Sequence, residues 1–179
     1  MRYQFSEKGT FFSTRQRGDE VRGDIEARLQ GLEPNEPLIL DFAGVEMISF
    51  SFADEVVGRL LESSKAGGLG DRVILLANLN AETSDPIERS LERRELIAAY
   101  LDVDGSVRLM CAPQHLEQTF TAVQAHQQFR TPELATELNI SVQACNNRLK
   151  PLLAAGLLRR KNTTGKSGGR QFVYSPTMS

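Results

Sequence analysis

Apolar residues recur along the chain with two different periods. Tyr3 and Phe5, followed by Phe11 and Phe12 beyond Lys8-Gly9, predict a pair of strands around a turn. Val21, Ile25 and Leu29 recur every four residues and predict a helix, with Gly18 and Gly23 weakening its start and Pro34 and Pro37 ending it. Residues 38–42, LILDF, form a continuous apolar run suited to a strand buried on both faces, and residues 73–77, VILLA, repeat it. Between them Phe52, Val56, Leu60 and Leu61 sit at helical spacing, Ser51 is the expected N-cap, and Gly67, Gly68 and Gly70 break the chain. Asp85-Pro86 reads as a cap with proline in the first turn and predicts a helix from Pro86 to Tyr100. A strand over residues 107–111 completes a β-β-α-β-α-β-α-β order, an α/β domain with helices packed on a mixed sheet.

After Pro113 the pattern becomes helical. Leu116, Phe120 and Val123 share one face of a helix from His115 to Gln127. Thr131-Pro132-Glu133 supplies a cap, a proline and an acid for a second helix ending near Leu138. Asn139-Ile140-Ser141 is a tight turn, with Ser141 placed to cap a third helix. That helix runs through Val142, Cys145, Leu149, Leu152 and Leu153 and stops at Gly156. Residues 157–161 and 171–174 then predict a two-stranded ribbon around a polar tip. The whole is a small α+β domain over residues 113–179, after an α/β domain over residues 1–112.

Charge sharpens this division. The net charge is -2, but residues 113–179 hold eight Lys and Arg against Glu117, Glu133 and Glu137, or 8 − 3 = +5, which leaves −2 − 5 = −7 for residues 1–112. An acidic module joined to a basic one fits contact with a polyanion. Hydrophobic residues at 40% and charged residues at 25% describe a globular chain. No apolar run approaches the roughly 18 residues of a membrane span, and the start MRYQFSEKG lacks the apolar stretch of a secretory signal, so a cytoplasmic, membrane-free location is expected. Cys111 and Cys145 lie far apart without a CxxC pattern, so neither a disulfide framework nor a metal site is expected, and both read as small buried residues.

Two helices across a three-residue turn, the second rich in small polar and basic residues, form an arrangement that presents a helix to the major groove of double-stranded DNA. Gln143, Asn146 and Asn147 are the candidates for base edges, and Arg148 or Lys150 for phosphates. On the ribbon, Arg159, Arg160, Lys161, Lys166 and Arg170 are candidates for phosphate or the minor groove. Pro151 falls inside the third helix and is expected to kink it. The stretch TPELATELNISVQACNNRLKPLLAAGLLRRKN resembles the winged helix-turn-helix domains of bacterial transcriptional regulators, over roughly residues 115–176. That resemblance implies DNA binding, commonly as a homodimer, with the helix over residues 115–127 as the dimer element.

The segment LILDFAGVEMISFSFADEVVGRLL resembles the core of STAS domains, the anti-sigma-factor antagonists, and more closely a STAS-like domain of unknown function found fused to DNA-binding domains. In the antagonists a serine at a helix N-terminus is phosphorylated by a partner kinase. Ser51 takes that position, with Ser49 nearby, but Phe50 and Phe52 flank it where antagonists place a glycine after the serine. Ser51 is therefore expected to act mainly as a cap, with regulatory phosphorylation as the alternative. Asp41 and Ser49 have no base at a recognisable spacing, no GxSxG is present, and Gly67 to Gly70 is not followed by Lys-Ser or Lys-Thr, so neither catalysis nor a cofactor is expected. The expected function is transcriptional regulation, with the STAS-like domain as sensor or partner-docking module. The competing expectation is a partner-switching protein-interaction module.

Overall fold

The computed structural model describes residues 1–33, 36–70, 72–164 and 170–178. The chain divides into two units, Met1–Cys111 and Ala112–Ser179. In the first, strands β1 (Arg2–Gln4), β2 (Phe11–Phe12), β3 (Leu38–Asp41), β4 (Met47–Ile48), β5 (Ile74–Ala77), β6 (Ala98–Leu101) and β7 (Val107–Met110) alternate with helices α1 (Arg15–Leu29), α2 (Phe50–Ala53), α3 (Arg59–Lys65) and α4 (Ala81–Arg93). The main sheet runs β1-β3-β5-β6-β7, and β2 pairs with β4 separately. Its first four strands are parallel, while β7 lies antiparallel to β6. The two apolar runs, now β3 and β5, sit side by side inside the sheet, and every residue of β5 is buried.

Three expectations change. The opening strands do not pair with each other: β1 pairs with β3, Tyr3 opposite Leu40, and β2 pairs with β4, Phe12 opposite Ile48. Between them Phe5 begins a short 3-10 turn and drops fully into the core, where its ring stacks on Phe42 with centroids 4.4 Å apart. The helix expected from Pro86 begins instead at Ala81, because Asn80 caps it: Asn80 Oδ1 accepts from the Thr83 amide and Thr83 Oγ1 accepts from the Asn80 amide, both at 2.9 Å. It ends at Arg93, and the buried small residues Ala98 and Ala99 belong to β6, a strand that the expected helix had covered. The third correction concerns Ser51. The N-cap of α2 is Ser49, whose Oγ accepts from the Phe52 amide at 3.2 Å, so Ser51 lies inside the helix, half-buried.

From α2 the chain passes through a π-helical turn, Asp54–Gly58, into α3, and all five residues of that turn are buried. Asp54 and Glu55 each keep only 4% of their side-chain surface. Asp54 accepts from Arg94 Nε at 2.8 Å, Arg15 Nη2 at 3.2 Å and Ser90 Oγ at 3.2 Å. Glu55 meets Arg15 Nη1 at 2.8 Å, Arg59 Nε at 3.0 Å and Arg22 Nη2 at 3.4 Å. Gly18 lets α1 approach this turn, since a Cβ there would stand 2.8 Å from the Glu55 Cβ. Gly58 does the same for α4, where a Cβ would meet Ser90 Oγ at 2.7 Å.

The second unit holds α5 (Gln114–Gln124), α6 (Thr131–Glu137), α7 (Val142–Ala154) and an antiparallel ribbon, β8 (Leu158–Thr164) with β9 (Arg170–Pro176). Its core gathers Leu116, Phe120, Val123, Leu134, Cys145, Leu149, Leu152, Leu157 and Tyr174. Arg130, not Thr131, is the N-cap of α6, and its amide donates to Glu133 Oε2 at 2.8 Å. Ser141 caps α7 as expected, accepting from the Ala144 amide at 3.1 Å. Gly156, at φ 71°, follows its end. Cys145 is buried, whereas Cys111 is only half-buried.

Two stability predictions follow from these contacts. The hydrogen bond from Arg94, helped by those from Arg15 and Ser90 and opposed by burial, holds the Asp54 carboxyl down to about 2. A depressed carboxylate contributes stability above its unfolded value of about 3.9, and this contribution disappears as pH falls through the folded value. Urea unfolding should therefore show stability falling between about pH 4 and pH 2. Asp54→Asn should lose about 3 kcal/mol near neutral pH by removing the buried charge that Arg94 Nε and Arg15 Nη2 meet, and should lose part of that acid dependence. For the α2 cap, Ser49→Ala should cost about 1 kcal/mol and Ser51→Ala much less. Equal losses at the two positions would contradict the assignment.

Candidate nucleic-acid interface

The helix pair α6–α7 turns on Asn139, whose φ of 53° is a left-handed conformation that asparagine adopts more readily than most residues. Thr131 Oγ1, in the first turn of α6, donates to Asn146 Oδ1 on α7 at 3.1 Å, a bond that ties the two helices. Arg148 leans the other way: its Nη1 reaches the His115 carbonyl and Thr119 Oγ1 of α5, both at 3.4 Å. Asn146 and Arg148 are thus half-buried and engaged within the unit.

Gln143, Asn147 and Lys150 are exposed and stand at positions i, i+4 and i+7, one stripe of the helix. They hold one another in line, since Asn147 Oδ1 accepts from Gln143 Nε2 at 3.4 Å and from Lys150 Nζ at 3.3 Å. Val142 is 45% exposed in the first turn of α7, whereas Cys145 and Leu149 lie on its buried side. Its place directly after the Ser141 cap is the signal that could have marked it as a surface residue. Helix α7 continues through Pro151 to Ala154, and the Pro151 carbonyl still accepts from the Ala155 amide at 3.0 Å.

On the ribbon, strand alternation separates the cations. Arg160 pairs across to Tyr174, and Lys161 to Val173, so they occupy opposite faces. The Arg160 guanidinium lies 4.5 Å over the ring of Phe172, an exposed aromatic side chain. Lys161 is exposed and Arg159 is half-buried. Arg170 opens β9 opposite Thr164, which extends the ladder beyond the expected tip, and Lys166 lies outside the described residues. At the ribbon's base Phe129 stacks on Tyr174, with centroids 5.6 Å apart, and the two residues exchange backbone hydrogen bonds.

The candidate polar residues of the first unit are occupied structurally. Asp41 is 2% exposed; burial pushes its carboxyl up, but bonds from Asn78, the Ala43 amide and Arg2 outweigh this and hold it below the usual range. Ser49 Oγ also donates to the Ser13 carbonyl at 2.9 Å. Among the described residues no group of three or more His, Cys, Asp and Glu is placed to hold a metal. Nor is any helix among them long and apolar enough to cross a membrane.

Comparison with known proteins assigns both units. Residues 17–83 match the sequence model of a STAS-like domain of unknown function, and residues 130–159 match that of winged helix-turn-helix DNA-binding domains. No match was found among curated proteins. A solved structure described as a possible transcriptional regulator from Methanosarcina mazei Go1 superposes with a TM-score of 0.34 at 16% identity. That alignment covers 36% of this chain and 56% of the other, so the chain spans little more than half of that protein. The matched segments fall one in each unit, and the chain joins a STAS-like domain to a winged helix-turn-helix DNA-binding domain.

Proposed function

We propose that the protein is a transcriptional regulator that binds double-stranded DNA through α7 and the β8–β9 ribbon, with the STAS-like unit as its sensor or partner-docking module. The exposed stripe Gln143, Asn147 and Lys150 carries this reading. Amide side chains pair bidentately with adenine, so Gln143 and Asn147 are the residues that read bases. Val142 adds an apolar surface for a thymine methyl group. Lys150, Arg160 and Lys161 meet phosphates and fix the register of the helix on the duplex. Asn146 and Arg148 act as positioning residues: one sets the angle between α6 and α7, the other anchors α7 on α5.

The test is a set of binding isotherms on a duplex selected from a random library and on a scrambled duplex, each at two salt concentrations. Asn147→Ala should cost about 1 to 3 kcal/mol on the selected duplex and little on the scrambled one. Arg160→Ala with Lys161→Ala should weaken both duplexes similarly and reduce the salt slope by about 0.9 per lost phosphate contact. Asn146→Ala should lower the thermal stability of the winged unit together with its affinity, which separates it from Asn147. A folded full-length chain without salt-dependent affinity for any duplex would overturn the regulator reading and leave the winged unit as a protein contact.

A further inference from the structure

Arg72 lies just before β5 and is 4% exposed. Its Nη2 donates to the Glu33 carbonyl at 3.0 Å, but Nε and Nη1 are buried with no hydrogen-bond acceptor. No carboxylate among the described residues forms an ion pair with it. A buried guanidinium in this state is costly, since a charge removed from water needs both a counter-charge and acceptors for its N–H groups. Such an orphan in a native fold calls for a partner that the described residues do not supply.

Arg72 lines a cavity of about 620 Å³ within the first unit, between the C-terminal end of α1 and the loop that follows α3. That volume falls in the ordinary range of small-molecule sites. Leu29, Leu32 and Leu69 supply apolar wall, and Ser63 and Glu26 supply polar groups. Glu26 sets a limit on charge, because a second negative group on a ligand would meet its carboxylate.

We propose that this cavity binds a small organic monocarboxylate, with the carboxylate on Arg72 and the apolar body against Leu29, Leu32 and Leu69. Nε and Nη1 are shielded from water, so capture turns the guanidinium toward the cavity and gives both nitrogens an acceptor. The inference rests on the sensor role of the STAS-like unit and names the chemistry sensed.

The experiment uses the full chain, with hexanoate and phenylacetate as probes and hexanamide and inorganic phosphate as controls. Thermal unfolding and the nitrogen-15 resonance of Arg72 Nε are followed as each is titrated. At least one carboxylate should raise the melting temperature saturably and shift the Arg72 resonance, while hexanamide and phosphate do neither. Arg72→Gln should abolish the response. Leu69→Asp, which leaves Arg72 intact and adds a repelling charge, should weaken binding about tenfold or more. The proposal is overturned if neither carboxylate binds, if hexanamide or phosphate binds as well, or if folded Arg72→Gln keeps the response. DNA affinity is measured on the same samples. No carboxylate response with salt-dependent DNA binding intact overturns the pocket alone; a carboxylate response without DNA affinity overturns the regulator reading alone.

Discussion

The first unit depends on two adjacent carboxylates that water does not reach. Asp54 and Glu55 stand on a π-helical turn of five consecutive buried residues, where an isolated helix would expose part of each turn. An unpaired carboxylate in that position costs several kcal/mol, so the turn is stable only when its arginines are in place. Those arginines come from separate elements: Arg15 and Arg22 from α1, Arg59 from α3, and Arg94 from the end of α4. The glycines at 18 and 58 complete the arrangement by removing the side chains that would hold α1 and α4 away. Charge neutralisation and close packing therefore act as one constraint, and three helical elements are coupled through it.

This constraint explains where sequence reading succeeded and where it failed. The buried strands β3 and β5 were legible because continuous apolar runs report burial on two faces. The face of α1 was legible too, through Val21, Ile25 and Leu29. Gly18, read locally, only weakens a helix; its reason lies 37 positions away in Glu55, at a contact that no local pattern encodes. The same applies to Asp54 and Glu55, which by position suggest solvated acids at a helix start. Strand β6 was hidden because the helix started by the Asp85-Pro86 signal was extended to Tyr100, while what decides its state is an open place in the sheet between β5 and β7.

In the winged unit, local chemistry carried more of the result. Ser141, Asn139 and Gly156 act within a few residues of themselves, so the turn and both ends of α7 were readable. The sorting of α7's polar residues was not, because it depends on neighbours brought in by the fold. Five polar side chains look alike in sequence. Thr131 engages Asn146, and α5 engages Arg148, which leaves the stripe of Gln143, Asn147 and Lys150 facing outward. Helical periodicity alone would have placed these three together; only the contacts show that the other two have structural work.

The cavity beside Arg72 and the buried carboxylates share a residue chain. Glu26 lines the cavity and pairs with Arg22 at 2.9 Å, and Arg22 in turn reaches Glu55 at 3.4 Å and Asp19 at 2.5 Å. Arg22 Nε, which is buried, has no acceptor, so this guanidinium divides its remaining donors among three carboxylates. Arg22 joins the cavity wall to the π-helical turn, because it touches both Glu26 and Glu55. One wall of the cavity and the turn that orders α1, α3 and α4 thus share one side chain's hydrogen bonds, so the charge balance of the turn extends as far as Glu26.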